Sequence, residues 1–184
     1  RLEHLPLLDL PMENAALVLQ AYALLPLPWD YQQIVQALLA TRVTGRLDRR
    51  ALDWRGKSLT LLLDVGHNPH AADYLAQRLE SRPLAGQRWA VFGLLADKDL
   101  PGVVSPLLSL VAGWAVAPLD TPRSRSADDL AEHLRGQGML VAQYPDVRAA
   151  LDAQCEQAAE GDEILLFGSF FCVAEALDWL ARPA

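Results

Sequence analysis

The sequence predicts an α/β fold: a Rossmann-like three-layer domain with a mostly parallel sheet of about six strands, preceded by a helical hairpin. From residue 47 to the end of the chain, short apolar runs alternate with segments whose apolar residues recur at helical spacing. Such alternation requires right-handed crossovers and places helices on both faces of the sheet. Before residue 42, two helical patterns follow one another with no strand pattern between them.

The clearest junction spans residues 61–72, where an apolar run stops at Asp64, the chain turns at Gly66, and a helix begins at Asn68 or Pro69. A continuous apolar run is typical of a strand buried on both faces. Asn is a favoured N-cap, and Pro is a favoured first helical residue. Asp64 and His67 therefore lie in a loop at the carboxyl end of a strand, where open α/β sheets bind ligands.

The same patterns predict the other elements. Polar residues at helix starts, such as Asp30 with Gln33 and Ser126 with Asp129, are typical of capping boxes. The predicted strands are a weak one near 51–54 and stronger ones at 58–64, 88–95, 113–117, 138–143 and 163–167. The predicted helices are 14–25, one after Asp30, 68–81, one from Leu100 to Val111, and one after each of Ser126, Asp146 and Ser169.

Composition restricts the class of protein. The chain has 184 residues, of which 52% are hydrophobic, so it can hold one domain plus an appendage. It has no stretch long enough to span a bilayer and no secretory signal pattern. A net charge of −7 argues against broad nucleic-acid binding. Cys155 and Cys172 lie in apolar helical faces, which is typical of reduced core thiols in a cytoplasmic protein.

Two features predict that the chain is a fragment of a larger protein. It does not begin with methionine, and the predicted helix 14–25 is apolar almost all round. A helix without a polar face has to be buried on every side. We therefore expect a further domain to cover it.

Polar residues gather where the predicted strands end. Because parallel strands point the same way, their carboxyl-end loops form one rim, and the helix N-termini that follow add free N–H groups. This rim favours an anionic ligand, phosphate or carboxylate, although neither a Gly-x-Gly-x-x-Gly fingerprint nor a Walker A loop is present. The rim residues are Asp64, Gly66 and His67, then Asp97, Lys98 and Asp99, then Asp120, Arg123 and Arg125, and finally Gly168 and Ser169.

Each candidate also has a structural interpretation. Asp64 could cap the following helix, and Lys98 could be a solvated loop charge. His67 and His70 with Asp64 imitate a zinc site, but no third His or Cys has ligand spacing, so no metal site is predicted. Ser169 lies at a strand–helix turn like a nucleophile elbow, but the second glycine of that motif is missing, and a helix N-cap is the better interpretation.

Specific motifs make the chain resemble the bifunctional folylpolyglutamate synthase/dihydrofolate synthases, the folate branch of the Mur ligase superfamily. Residues 64–72 (DVGHNPHAA) resemble the Asp-x-x-His-Asn-Pro motif of the superfamily's C-terminal domain, and residues 93–99 (GLLADKD) resemble the folate branch's Gly-x-x-x-Asp-Lys-Asp. Further matches are Ala117-Pro118-Leu119 with Pro122-Arg123, Gly168-Ser169-Phe170, Asn14-Ala15-Ala16 and Gly45-Arg46.

The resemblance implies a division of the chain and an activity. Residues 1–41 would be the helical end of a central P-loop ATPase domain, 42–46 the linker, and 47–184 the C-terminal domain. The family activates a pteroate or folate carboxylate as an acyl phosphate with ATP and Mg²⁺, and the amino group of L-glutamate then displaces phosphate. Folate substrates and the magnesium ligands would belong to the missing N-terminal part. We expect a cytoplasmic protein without nucleic-acid or membrane partners, and a monomer as the full-length enzyme.

Residue roles follow from the same resemblance. Asn14 would contact adenine, Arg46 the phosphates and Asp64 the ribose of ATP. His67, Ser169 and Lys98 would be the catalytic residues, with His67 and Ser169 near the glutamate or the γ-phosphate. We expect the chain alone to be inactive. In the full-length parent, we expect Asp64→Ala and Arg46→Ala to impair catalysis with little loss of folding stability.

Three other interpretations remain open from the sequence. The chain could belong to a peptidoglycan-precursor branch of the same superfamily, although residues 70–72 and 97–99 favour the folate branch. It could be a free-standing anion-binding or interaction module, although the uncovered helix 14–25 argues against this. It could also be a Ser- or metal-dependent hydrolase, which would require His67 and Ser169 within hydrogen-bond reach.

Overall fold

A computed structural model of the chain describes Leu8, residues 11–82 and residues 84–181. The predicted domains also include residues 1–7, 9, 10, 83 and 182–184, which lie outside the described residues. The structure confirms the predicted fold class, because a six-stranded sheet of order β1-β2-β6-β3-β4-β5 carries helices on both faces. The strands are β1 (Asp48–Trp54), β2 (Lys57–Asp64), β3 (Arg88–Phe92), β4 (Gly113–Val116), β5 (Val141–Gln143) and β6 (Glu163–Phe167).

All strand pairs are parallel except β1 with β2, which form a hairpin closed by Arg55-Gly56. The weak strand predicted at 51–54 is therefore longer than expected and lies at the sheet edge. The central strands β3, β4 and β6 and the second half of β2 are almost wholly buried, as their continuous apolar runs predict.

Helices cover the two faces unequally. One face packs against the helices that follow β2, β3 and β4, and the other packs against the helices on either side of β6 in the sequence. The helices are α1 (Met12–Ala23), α2 (Tyr31–Ala40), α3 (Pro69–Glu80), α4 (Leu100–Val104), α5 (Ala127–Gly136), α6 (Val147–Gln157) and α7 (Phe170–Leu180).

Side-chain caps begin the helices largely where the sequence predicts. Asn68 accepts from Ala71 N at 2.9 Å, Ser126 from Asp129 N at 3.1 Å, and Asp146 from Ala149 N at 2.8 Å. Asp30 accepts from Gln33 N at 3.1 Å at the start of α2. These bonds satisfy N–H groups that have no partner inside the helix.

Three predicted elements were too long. The strand predicted at 138–143 begins only at Val141, because residues 137–138 still form the turn that ends α5. The strand predicted at 88–95 ends at Phe92, because the chain leaves the sheet after Gly93 and Leu95 instead bridges to Ser124. The helix predicted from Leu100 to Val111 is α4 followed by a 3₁₀ segment, Ser105–Leu110. Pro106 lacks the N–H that an α-helix needs at that position.

The two N-terminal helices keep much of their apolar surface exposed. On α1, Ala15 and Leu19 are buried, whereas Leu17 and Val18 are 64% and 62% exposed. Leu24, after the helix, is 87% exposed. This agrees with the prediction that the helix lacks a polar face.

No described helix is both long and apolar enough to cross a membrane. Cys155 and Cys172 are buried and free, as predicted. Burial raises the pKa of the Cys155 thiol to about 12, and burial also raises the pKa of Cys172.

Candidate functional site

The strand order places a topological switch point, where a ligand crevice is expected, at the carboxyl edge of the sheet. Strand β6, the last in sequence, lies between β2 and β3. The helix after β2 packs on one face, and the helix after β6 packs on the other. The loops that follow β2 and β6 therefore separate, and such a switch point is where open α/β sheets bind ligands. His67 and Ser169 lie in these two loops.

Asp64 ends β2 and is only 6% exposed. Its Oδ1 accepts from Gly66 N at 2.7 Å, and its Oδ2 accepts from Leu47 N at 3.0 Å. Burial raises the pKa of this carboxyl, while the two backbone N–H groups and the nearby Arg46 guanidinium oppose that shift. Asp64 does not cap the following helix, because Asn68 does so.

The bonds of Asp64 bring the segment 45–47 to the rim. Val65 N donates to Gly45 O at 2.8 Å, and Leu47, whose N–H is held by Asp64, has a φ of +46°. Gly45 has a φ of +72°, and a Cβ there would approach the side chains of Val65 and Val173 to 3.0 Å. Arg46 lies between these two fixed residues and remains exposed. Asp64 therefore holds the backbone that carries Arg46.

Because Asp64 holds this backbone, the expected effect of Asp64→Ala on the free energy of unfolding differs from the sequence-based prediction. The sequence predicts little loss of stability for Asp64→Ala. In the structure, removal of the carboxylate leaves the buried N–H group of Gly66 and the partly buried N–H group of Leu47 without their acceptor. An unsatisfied buried donor costs about 1–3 kcal/mol. We therefore expect a clear loss of stability, which the sequence pattern did not indicate.

His67 is partly buried, and its Nδ1 lies 2.9 Å from Val65 O. Its ring also lies against Phe170, with centroids 6.0 Å apart and an angle of 54° between the planes. These two contacts fix a titratable side chain in the crevice.

Ser169 is the N-cap of α7 and is 3% exposed. Its Oγ accepts from Phe171 N at 3.2 Å, as the N-cap interpretation predicts. Gly168 has a φ of +111°, and a Cβ there would clash with Gly93 O, so only glycine fits this turn. Among the described residues, no hydrogen bond joins Ser169 to His67, so the dyad that a Ser hydrolase needs is not formed.

Lys98 lies in the loop between β3 and α4, and its side chain is 28% exposed. Its Nζ donates to Asp97 Oδ2 at 2.9 Å, and Arg123 donates to Asp97 Oδ1 at 3.1 Å. The Lys98 hydrogen bond, supported by Arg123, lowers the pKa of Asp97. Asp99 caps α4 by accepting from Gly102 N. The rim therefore presents two cations beside one exposed carboxylate.

The predicted residues fall into three groups. Asp64 and Arg46 lie close to each other, and His67 contacts Phe170, the residue that follows Ser169. Lys98 is on the neighbouring loop, and Asn14 is exposed on α1; within the described ranges, no hydrogen bond, ion pair or ring contact joins either to the other four. Nor do three or more His, Cys, Asp or Glu side chains of the described part cluster in a way that could hold a metal ion.

Sequence reasoning missed two residues of the site. Leu47 supplies an N–H to Asp64 from 17 positions earlier in the chain. Phe170 is 61% exposed and contacts His67. Leu47 has no local signal, and Phe170 appears in the sequence only as the last residue of a family motif, because each contact depends on how distant segments meet.

Comparison with known proteins identifies the family of the chain. Residues 45–170 match the family "Mur ligase, glutamate ligase domain". The dihydrofolate synthase/folylpolyglutamate synthase of Escherichia coli K12 is 37% identical over 177 residues, which are 96% of this chain and 40% of that protein.

Solved structures agree as well. E. coli FolC in complex with DHPP and ADP has a TM-score of 0.84 at 35% identity, over 97% of this chain and 41% of that one. A bifunctional folylpolyglutamate synthase/dihydrofolate synthase with Mn, AMPPNP and L-glutamate bound has a TM-score of 0.84 at 36% identity, over 98% of this chain and 42% of that one. The chain spans about two fifths of the length of these relatives. It belongs to the Mur ligase family, with a glutamate ligase domain like that of the dihydrofolate synthase/folylpolyglutamate synthases.

Proposed function

We propose that this chain supplies the C-terminal half of the active site of an ATP-dependent ligase that adds L-glutamate to dihydropteroate, folates or both through an acyl phosphate. The observation that carries this proposal is the topological switch point between the loops after β2 and β6, in a domain that matches the glutamate ligase family. Its edge combines an exposed arginine, a histidine and a helix N-terminus, which are groups suited to an anionic substrate.

The nucleotide would lie along the Arg46 side of the crevice. Arg46 offers a planar set of donors to phosphate oxygens, where bidentate bonds are strongest. Each oxygen of Asp64 has one backbone bond and can accept a second, so a ribose hydroxyl can add to them. Asn14 would reach adenine from α1. The relatives bound to ADP and AMPPNP support this assignment.

The glutamate would lie along the His67 and Ser169 side, with Lys98 as a point charge nearby. Transfer of an acyl group from phosphate to an amine builds negative charge on the departing phosphate. Preorganised N–H groups and cations lower the energy of that charge. The relative bound to L-glutamate supports a glutamate site in this family.

The chain alone would lack part of this machinery. We propose that residues 1–41 end the ATPase domain, 42–46 form the linker, and 47–184 form the C-terminal domain of a cytoplasmic monomer. The exposed apolar side chains of α1 and the attachment of Gly45 to β2 and α7 support this division. We assign Mg²⁺ to the rest of the parent, because the described residues offer no cluster for it and the sequence has no Walker A loop.

The experiment is ATP-dependent phosphate release by the full-length parent with dihydropteroate and L-glutamate, with each omitted in turn. The chain alone serves as the matched control. The proposal predicts release that requires both substrates and the full-length protein. Release that requires neither substrate, or no release at all, would favour a binding module instead.

A further inference from the structure

The hydrogen bond of His67 identifies its protonation pattern. Its Nδ1 lies 2.9 Å from the carbonyl oxygen of Val65, and a carbonyl oxygen can only accept. The proton of this bond is therefore on Nδ1. In the neutral ring, Nε2 then carries a lone pair. Among the described residues, Nε2 has no hydrogen-bond partner.

Phe170 lies where it can hold this ring in place. It is the first residue of α7, a position fixed by the Gly168 turn and the Ser169 cap. Its side chain is 61% exposed, so burial in the core does not account for its placement. The ring centroids of Phe170 and His67 are 6.0 Å apart with a tilt of 54°, a geometry in which aromatic rings attract each other.

We propose that Phe170 is a positioning residue: together with the Val65 carbonyl, it holds His67 in the Nδ1–H form and keeps Nε2 available as a hydrogen-bond acceptor in the crevice. The hydrogen bond to Val65 breaks when the ring rotates about its Cβ–Cγ bond, and the Phe170 contact limits that rotation. An acceptor at this place suits a ligand with an ammonium or amine group. That this group is the α-amino group of glutamate rests on the function proposed above.

The test is long-range ¹H–¹⁵N NMR of the histidine rings in the ¹⁵N-labelled whole chain at about pH 8, above the ordinary histidine pKa. The chain has four histidines, and His67→Gln identifies the signals of His67. We expect one protonated and one unprotonated nitrogen, with the proton on Nδ1. In Phe170→Ala, the two ¹⁵N shifts should move toward each other as the ring exchanges between tautomers.

Two control variants distinguish a specific effect of the Phe170 ring on His67 from a general disturbance of the structure. Phe171→Ala removes the neighbouring exposed ring, which makes no ring contact with His67 in the described structure, and should leave the His67 pattern unchanged. Phe170→Tyr keeps the ring and should restore it. An Nε2–H form in the unmodified chain, or an unchanged pattern in Phe170→Ala, would overturn the proposal. Because the readout needs no substrate, this outcome is independent of whether the parent is a ligase.

Discussion

The two edges of the sheet use charged residues in opposite ways. At the amino edge, Asp162 accepts from Gln87 N, Trp89 Nε1 and Ala159 N at 2.7–2.9 Å. Next to it, Glu163 is fully buried and pairs with Arg88 at 2.7 Å and with Arg49. Each carboxylate there is satisfied by groups of the chain itself.

At the carboxyl edge, several polar groups keep unused capacity. The contrast is clearest between two lysines. Lys57 Nζ donates to three carbonyl oxygens at the end of α6, those of Cys155, Glu156 and Ala158. Lys98 Nζ makes one hydrogen bond, to Asp97, within the described part of the chain. Satisfied charges contribute to stability, whereas partly satisfied charges at a crevice are available to a ligand.

The largest expected effect on stability is at the amino edge. Glu163→Gln removes the charge that compensates Arg88, whose guanidinium pKa is lowered by burial. Breaking a buried pair costs about 3–5 kcal/mol. Urea unfolding of the chain should show this loss, whereas Glu132→Gln, at an exposed position, should stay within about 0.5 kcal/mol. Equal stability of the two variants would show that the buried pair contributes little.

At the carboxyl edge, Asp64→Asn should cost about 1–3 kcal/mol. An amide has one acceptor oxygen, so one of the two N–H groups, of Leu47 or Gly66, loses its partner. Urea unfolding measures this loss.

The unmodified chain and Asp64→Asn also test how the free energy of unfolding depends on pH. Because burial raises the Asp64 pKa, the folded state binds its proton more tightly than the unfolded chain does. This contribution to stability is present in acid and is lost as pH rises from the ordinary Asp range through the raised pKa. The stability difference between the unmodified chain and Asp64→Asn should therefore be largest in acid and shrink as pH rises. A difference that grows with pH would contradict the raised pKa.

The two lysines give a smaller, matched comparison. Lys57→Met should destabilise the chain by about 1–3 kcal/mol, because three carbonyl groups lose a charged donor. Lys98→Met should leave stability within about 0.5 kcal/mol. In the full-length parent, Lys98→Met should lower kcat/KM for glutamate while Lys57→Met should not. If Lys57→Met lowered kcat/KM for glutamate and Lys98→Met did not, the functional role would belong to the amino edge, which contradicts the account.

The sequence predicted those features that depend on local signals. The run that ends at Asp64 and the caps Asn68, Ser126, Asp146 and Ser169 are encoded within a few residues, and the structure has them. Pro106 was also a local signal, but helical periodicity on both sides masked the break it causes.

Features that depend on distant segments could not be predicted in this way. Periodicity does not say that β6 inserts between β2 and β3, and this insertion places the loop that carries Ser169 beside the loop that carries His67. The contact between Leu47 and Asp64 arises because β1 pairs with β2. The roles of the site residues and the domain boundaries stay predictions.

The most direct test compares two arginines that lie three positions apart. Arg46 is exposed at the carboxyl rim, whereas Arg49 pairs with the buried Glu163. In the full-length parent, Arg46→Ala should lower kcat/KM for ATP and leave the urea midpoint nearly unchanged. Arg49→Ala should lower the midpoint and leave kcat/KM nearly unchanged under conditions where the protein is folded. Normal ATP use by Arg46→Ala, or a selective loss of ATP use in Arg49→Ala, would contradict the assignment of function to the carboxyl edge and of stability to the amino edge.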